Sequence, residues 1–160
     1  MKNYALFLDL DGVLADFDRA VVELFGTPPH ELHPARLWSR LAKTPGFYAS
    51  LHWTPDGADL WEFARRLSPT ILTGLPRGSW AEPQKREWCA RELGSTVPVI
   101  TCMSRDKHLQ AEQARQVGMT AILVDDRQRL AEAWEAAGGV FIHHTSAAAS
   151  IEQLSGLYPD

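Results

Sequence analysis

The sequence predicts an α/β protein: a doubly wound parallel sheet of five strands, with a small helical insertion after the first strand. Three observations carry that expectation. Five short apolar runs each end near a polar or glycine-containing turn. From residue 55 onward, helical patterns separate the runs. One segment, 15–54, breaks the alternation and is too long for a plain connection. Strands alternating with helices fold as a parallel sheet covered on both faces. In such sheets the ligand site lies beyond the carboxyl ends of the strands.

The elements follow in order. Residues 4–9 read as a buried strand ending in acid and glycine. The insertion 15–54 holds an apolar stretch at 21–25, a turn with Pro28, Pro29 and Pro34, a second helical stretch at 36–41, and Phe47-Tyr48. In 56–67, Leu60, Phe63, Ala64 and Leu67 mark one face of a helix. The second strand is 70–73. Ser79 and Glu82 have capping-box spacing and predict a helix through about Leu93, stopped by Gly94. The third strand falls within 97–103 and the next helix spans 107–117, ended by Gly118. The fourth strand is 121–124. Leu130, Ala133, Trp134 and Ala137 mark the helix of 128–137. The fifth strand is 140–142, and 146–157 reads as a last helix. The expected division is therefore a core of 1–14 plus 55–160 and a cap of 15–54.

Composition narrows the function classes. The 160 residues are 45% hydrophobic and 22% charged, enough for a packed core and too apolar for disorder. The net charge is −4 and no Lys/Arg cluster stands out, so no nucleic-acid polymer is expected as partner. The apolar run at 4–8 is too short for a signal peptide or a membrane span, which makes the cytoplasm the expected compartment. Cys89 and Cys102 lie in apolar stretches without metal or redox spacing and read as buried free thiols.

The chemistry concentrates at the strand ends. The first strand ends Asp9-Leu10-Asp11-Gly12, and the fourth ends Val124-Asp125-Asp126-Arg127. Carboxylates two apart on an extended segment start on one side. If the two strand ends meet, like charges crowd together, and a hard divalent cation with oxygen ligands relieves the cost. The competing reading, solvated turn residues, suits one aspartate better than two clusters that each end a wholly apolar strand. Thr73 and Gly74 end the second strand, where a hydroxyl and backbone N–H groups suit phosphate oxygens. Lys107 follows the third strand, where it could neutralise a carboxylate and a transferred phosphoryl group.

In this order the four pieces resemble the motifs of the haloacid dehalogenase (HAD) superfamily. Asp9 to Val13 match its first motif, Thr73 its second, Lys107 its third and the pair Asp125-Asp126 its fourth. The resemblance implies the HAD-like Rossmannoid fold and a Mg2+-dependent phosphatase. It implies that Asp9 attacks phosphorus and that Asp11 serves as general acid and base. Thr73, Gly74 and Lys107 would hold the phosphoryl group. Magnesium would be held by Asp9, the Asp11 carbonyl and Asp126, with Asp125 behind. The stretches 9–17, 104–107 and 124–127 further resemble the 5′(3′)-deoxyribonucleotidases. That likeness implies a nucleoside monophosphate substrate stacked on cap aromatics. Phe17, Leu37 and Trp38 are the candidates, with Phe47 and Tyr48 behind them. The segment 15–54 is shorter than the cap of that family.

Other phosphorylated metabolites, a phosphomutase of the same superfamily, and a non-catalytic phospho-binding module are the alternatives. Receiver modules place the acid pair after the first strand and the phosphorylated Asp after the third, an order this sequence lacks. His30 and His33 are three apart in a Pro-rich turn and lack zinc-motif spacing, so solvated side chains are expected. His143-His144 reads as a solvated strand end, and Trp80 and Trp88 as packing residues.

Overall fold

The computed structural model describes residues 3–159. Met1, Lys2 and Asp160, at the ends of the span assigned to the core, lie outside the described residues. Five parallel strands, β1 (Tyr4–Leu8), β2 (Thr70–Gly74), β3 (Val99–Cys102), β4 (Thr120–Asp125) and β5 (Val140–His143), form one sheet in the order β3-β2-β1-β4-β5. The order reverses at β1, which leaves a crevice between the carboxyl ends of β1 and β4. The register aligns Leu8 with Val124, and Asp9 N–H donates to the Val124 carbonyl at 2.9 Å. The first acidic strand end therefore lies beside the second.

Period-two alternation splits the strands between two apolar layers. Leu6, Leu8, Ile71, Ile122 and Val124 face one side, with Trp88 and Leu60. Phe7, Leu72, Ala121 and Leu123 face the other, with Ala114 and Trp134. The helices supplying these layers are α3 (Gly57–Ala64), α4 (Ala81–Glu92), α5 (His108–Gln116), α6 (Ala131–Ala136) and α7 (Ala147–Leu157). Burial on both faces explains why β1 and β4 read as continuous apolar runs.

The segment 15–54 carries two helices, α1 (Phe17–Phe25) and α2 (Pro34–Ala42). The Asp16 carboxylate caps α1 by accepting from Arg19 N–H, and Gly26 ends it at φ +76°. The exposed His33 caps α2 through Nδ1, which accepts from Ala35 N–H. The ends of the segment are tied together: Asp16 N–H donates to the His52 carbonyl and Thr54 N–H to the Leu14 carbonyl. Helix α4 holds its C-terminal half, because Gln84 accepts from Tyr48 N–H and Trp88 Nε1–H donates to the Leu51 carbonyl. Val21, Leu41, Phe47, Tyr48 and Leu51 join the same apolar cluster as Leu6 and Leu8.

Four expectations need correction. The Ser79–Glu82 capping box does not form. Helix α4 starts at Ala81 after Trp80 without a side-chain cap, and Glu82 accepts instead from Thr101 Oγ1 and Arg86. His144 is not solvated; it is buried, with Nδ1 2.8 Å from Ser150 Oγ. Leu37 is buried in the core and so offers no stacking face. Cys102 is only half-buried, while Cys89 is fully buried; both are free thiols. Among the described residues, no helix is long and apolar enough to cross a membrane.

Candidate active site

The site is built at the carboxyl ends of β1, β2 and β4. After β1 the chain folds back tightly, with Val13, Leu14 and Ala15 N–H groups all directed to the Leu10 carbonyl. Gly12 makes the turn at φ +80°, and its missing side chain leaves the space that the Asp126 carboxylate fills. The carboxylates of Asp9, Asp125 and Asp126 offer oxygen atoms within 4.8 Å of one another.

Lys107, placed just before α5, sits beneath this cluster and is 3% exposed. Its Nζ donates to Asp9 Oδ1 and to Asp125 Oδ2, each at 2.8 Å. Burial pulls the ammonium down, but the Asp9 and Asp125 carboxylates outweigh that and hold it above the usual lysine range. Asp125 is fully buried and both its oxygens are engaged, since Oδ1 accepts from Arg127 N–H. Asp126 makes no ion pair among the described residues. Burial, then the charges of Asp9 and Asp125, raise its carboxyl above the ordinary range.

Three carboxylates against one ammonium leave an excess of negative charge. The donors are all hard oxygens, and the least engaged, Asp126, lies at the open side of the cluster. That set fits a divalent cation of the magnesium type. Asp9 and Asp126 are the side chains able to hold it.

Asp11 does not join that cluster. Its side chain turns toward β2, where Oδ2 accepts from Lys85 Nζ at 2.7 Å. Lys85 lies on α4 and is 1% exposed. The same ammonium donates to Thr73 Oγ1 at 3.0 Å and to the Gly74 carbonyl at 2.7 Å, and stands 4.4 Å from the centre of the Tyr48 ring. Sequence reasoning missed Lys85. The signal existed: Ala81, Lys85, Trp88 and Cys89 share helical spacing and form the buried face of α4. A lysine on an apolar face needs partners, and here it has them.

Above Asp11 lies a cavity of about 100 Å³ walled by Phe17, Trp38, Tyr48, Lys85 and Arg127, with Gly74 and Ser104 at its floor. Thr73 is buried below and reaches the cavity only through Lys85. Phe17 and Tyr48 stack at 6.0 Å, and Tyr48 stacks on Trp80 at 5.5 Å. Trp38 and Pro76 also wall an adjoining groove of about 560 Å³, lined further by Ala35, Ala42, Trp80 and Met103. Trp80, expected as a packing residue, and Tyr48, expected behind Phe17 and Trp38, therefore help shape the site. His143 is exposed, with Nε2 3.1 Å from the Asp126 carbonyl.

No family model matches the sequence, and no curated protein matches it significantly. Solved structures do match its shape. A hydrolase from Streptococcus pneumoniae TIGR4 is 16% identical, with full coverage of both chains and a TM-score of 0.58. A HAD family hydrolase from Deinococcus radiodurans R1, with bound phosphate and sodium, is 15% identical over 96% of this chain and 94% of that one, at a TM-score of 0.52. A HAD family enzyme from Bacteroides thetaiotaomicron, in a magnesium complex, is 14% identical with full coverage of both, at a TM-score of 0.50. The chain has the haloacid dehalogenase-like fold. At these identities the likeness is one of fold. The HAD-like sheet accounts for the meeting of the β1 and β4 acids, while Lys85 and the aromatic walls are described by this chain's own geometry.

Proposed function

We propose that this chain is a magnesium-dependent phosphomonoester hydrolase of the HAD type, acting through an aspartyl phosphate on Asp9. The observation that carries the reading is Lys107, buried and bonded to Asp9 and Asp125 at once, with Asp126 alongside. A carboxylate held in place by a buried ammonium is a fixed nucleophile whose charge is already compensated. Bound magnesium supplies charge neutralisation for the phosphoryl oxygens. Asp9, Asp126 and the Asp11 carbonyl would hold it, with Asp125 steadying Lys107. The D. radiodurans and B. thetaiotaomicron structures, with phosphate and magnesium respectively, support the same ligand classes.

The residues then divide the work. Asp9 attacks phosphorus. Asp11 gives a proton to the leaving oxygen, then takes one from the water that cleaves the aspartyl phosphate. Gly74 and Lys107 hold the phosphoryl group, with Thr73 acting from beneath through Lys85. The segment 15–54 is the cap, and Phe17 and Trp38 meet the leaving group.

The substrate in this reading is a small phosphorylated metabolite, with a nucleoside monophosphate as the specific candidate. A cavity of about 100 Å³ falls below the usual size of a ligand pocket, roughly 300–1,000 Å³. A nucleoside would have to extend past Trp38 into the groove, whose indoles and apolar walls suit a planar base. Phosphate release from nucleoside monophosphates, sugar phosphates and p-nitrophenyl phosphate, with magnesium and with EDTA, tests both levels. Magnesium-dependent release that is highest on nucleotides supports both. Release from p-nitrophenyl phosphate alone keeps the chemistry and removes the nucleotide. No release from any of them removes the hydrolase.

A further inference from the structure

We infer that Lys85 is the positioning residue for Asp11: its bond to Oδ2 fixes the carboxyl group in the orientation from which it exchanges a proton with the leaving group and with water. The inference rests on the hydrolase reading for its catalytic consequence, though not for its geometry.

Lys85 is committed in every direction. Its three hydrogen bonds go to Asp11 Oδ2, Thr73 Oγ1 and the Gly74 carbonyl, which matches the three donors of an ammonium. The Tyr48 ring covers it from the side of the insertion. At 1% exposure it has no contact with water to lose or gain. Asp11 Oδ1, in contrast, is buried and has no partner among the described residues. A buried carboxylate oxygen without a donor is costly, and the Lys85 bond to its twin is what holds the group there. Asp11 lines the cavity with the part of its side chain that stays open, which excludes Oδ1.

The arrangement serves both half-reactions. Protonated or ionised, the Asp11 carboxyl group keeps an oxygen that accepts from Lys85. As Asp9 bonds to phosphorus, the bond from phosphorus to the leaving oxygen breaks. That oxygen keeps the electron pair and takes the Asp11 proton. Water then bonds to phosphorus, giving its proton to Asp11, while the bond from phosphorus to Asp9 breaks and its electrons return to Asp9. Lys85 donates to the carboxyl group throughout, which keeps it in place between steps. Tyr48 brings the insertion into the arrangement, since its ring limits where the ammonium can move.

The test uses the full chain, with wild type, Lys85→Met, Asp11→Asn and the double variant. Each is assayed on p-nitrophenyl phosphate and phenyl phosphate, which are similar in size but differ in leaving-group acidity. A poor leaving group needs the proton more. The expected result is a kcat loss for Lys85→Met about tenfold or more greater on phenyl phosphate, with KM little changed. The double variant should be no slower than Asp11→Asn alone. Equal losses on both substrates, or losses that multiply in the double variant, overturn the assignment. Lys85→Gln, which keeps one donor, replaces Lys85→Met if that variant does not fold. A crystal structure of the Lys85 variant gives a second readout that does not depend on turnover. An Asp11 side chain that keeps its rotamer without Lys85 overturns the positioning role. A displaced side chain supports it even if the wild type hydrolyses neither substrate, an outcome that would remove only the hydrolase reading.

Discussion

A side chain at Gly12 would overlap the carboxylate of Asp126. The two residues come from different strands, so the turn after β1 and the acid after β4 fit together only with glycine at that position. Gly12 also holds φ +80°, which an L side chain resists. Gly12→Ala is expected to lower stability by about 1–3 kcal/mol, from strain at this φ plus displacement of the acid. Chemical denaturation measures the loss. Magnesium affinity should fall with it, since the acid displaced is the proposed ligand.

Magnesium should stabilise the fold, with a gain near 2.7 kcal/mol at about a hundred times its dissociation constant. Asp126→Asn should remove that gain. In EDTA the same variant should melt higher than wild type, because it relieves the crowding that raises the Asp126 carboxyl. Thermal melts with and without magnesium check both signs. A wild type that melts at the same temperature in each buffer would count against the metal site.

Lys107→Met takes away the ammonium bonded to Asp9 and Asp125. Removing one member of a buried charged group costs about 3–5 kcal/mol. The variant should unfold at lower urea than Asp9→Asn, which deletes one carboxylate and leaves Lys107 paired with Asp125. Both variants should lose phosphate release.

His144 predicts a pH dependence. Burial depresses its pKa from the ordinary 6.5, with smaller opposing effects from Asp56 and Asp9. The unfolded chain therefore takes up a proton near pH 6.5, while the folded chain resists it until lower pH. Stability from the neutral ring is present above pH 6.5 and declines as pH falls through that value. Each unit of depression contributes about 1.4 kcal/mol. In EDTA, His144→Gln should lose less stability than wild type between pH 7.5 and pH 5. Equal losses would mean that His144 takes up its proton as readily in the fold as in the unfolded chain.

Much of the sheet was legible because β1 and β4 are buried on both faces, and their apolar runs stop sharply at acid. Parallel topology puts Asp9 and the Asp125-Asp126 pair at one edge of the sheet, and the pairing of β1 with β4 brings them together. Lys85 was not read, because α4 is predominantly polar and its buried face includes the lysine itself. His144 was misread for a related reason. Local sequence shows a histidine pair at a strand end, but the partner that buries it, Ser150, comes from α7. The capping box failed because Glu82 has better partners in Thr101 and Arg86 than in the helix start. In each case a tertiary contact overrode a local pattern.

The tryptophans give the molecule two optical reporters. Trp88 and Trp134 are wholly buried, and their emission follows the integrity of the two apolar layers. Trp38 and Trp80 wall the groove, so a molecule entering it meets their indoles first. Occupancy of the groove and loss of the fold should therefore change the fluorescence in different ways. Trp38→Phe removes one of the groove indoles and leaves both buried tryptophans in place.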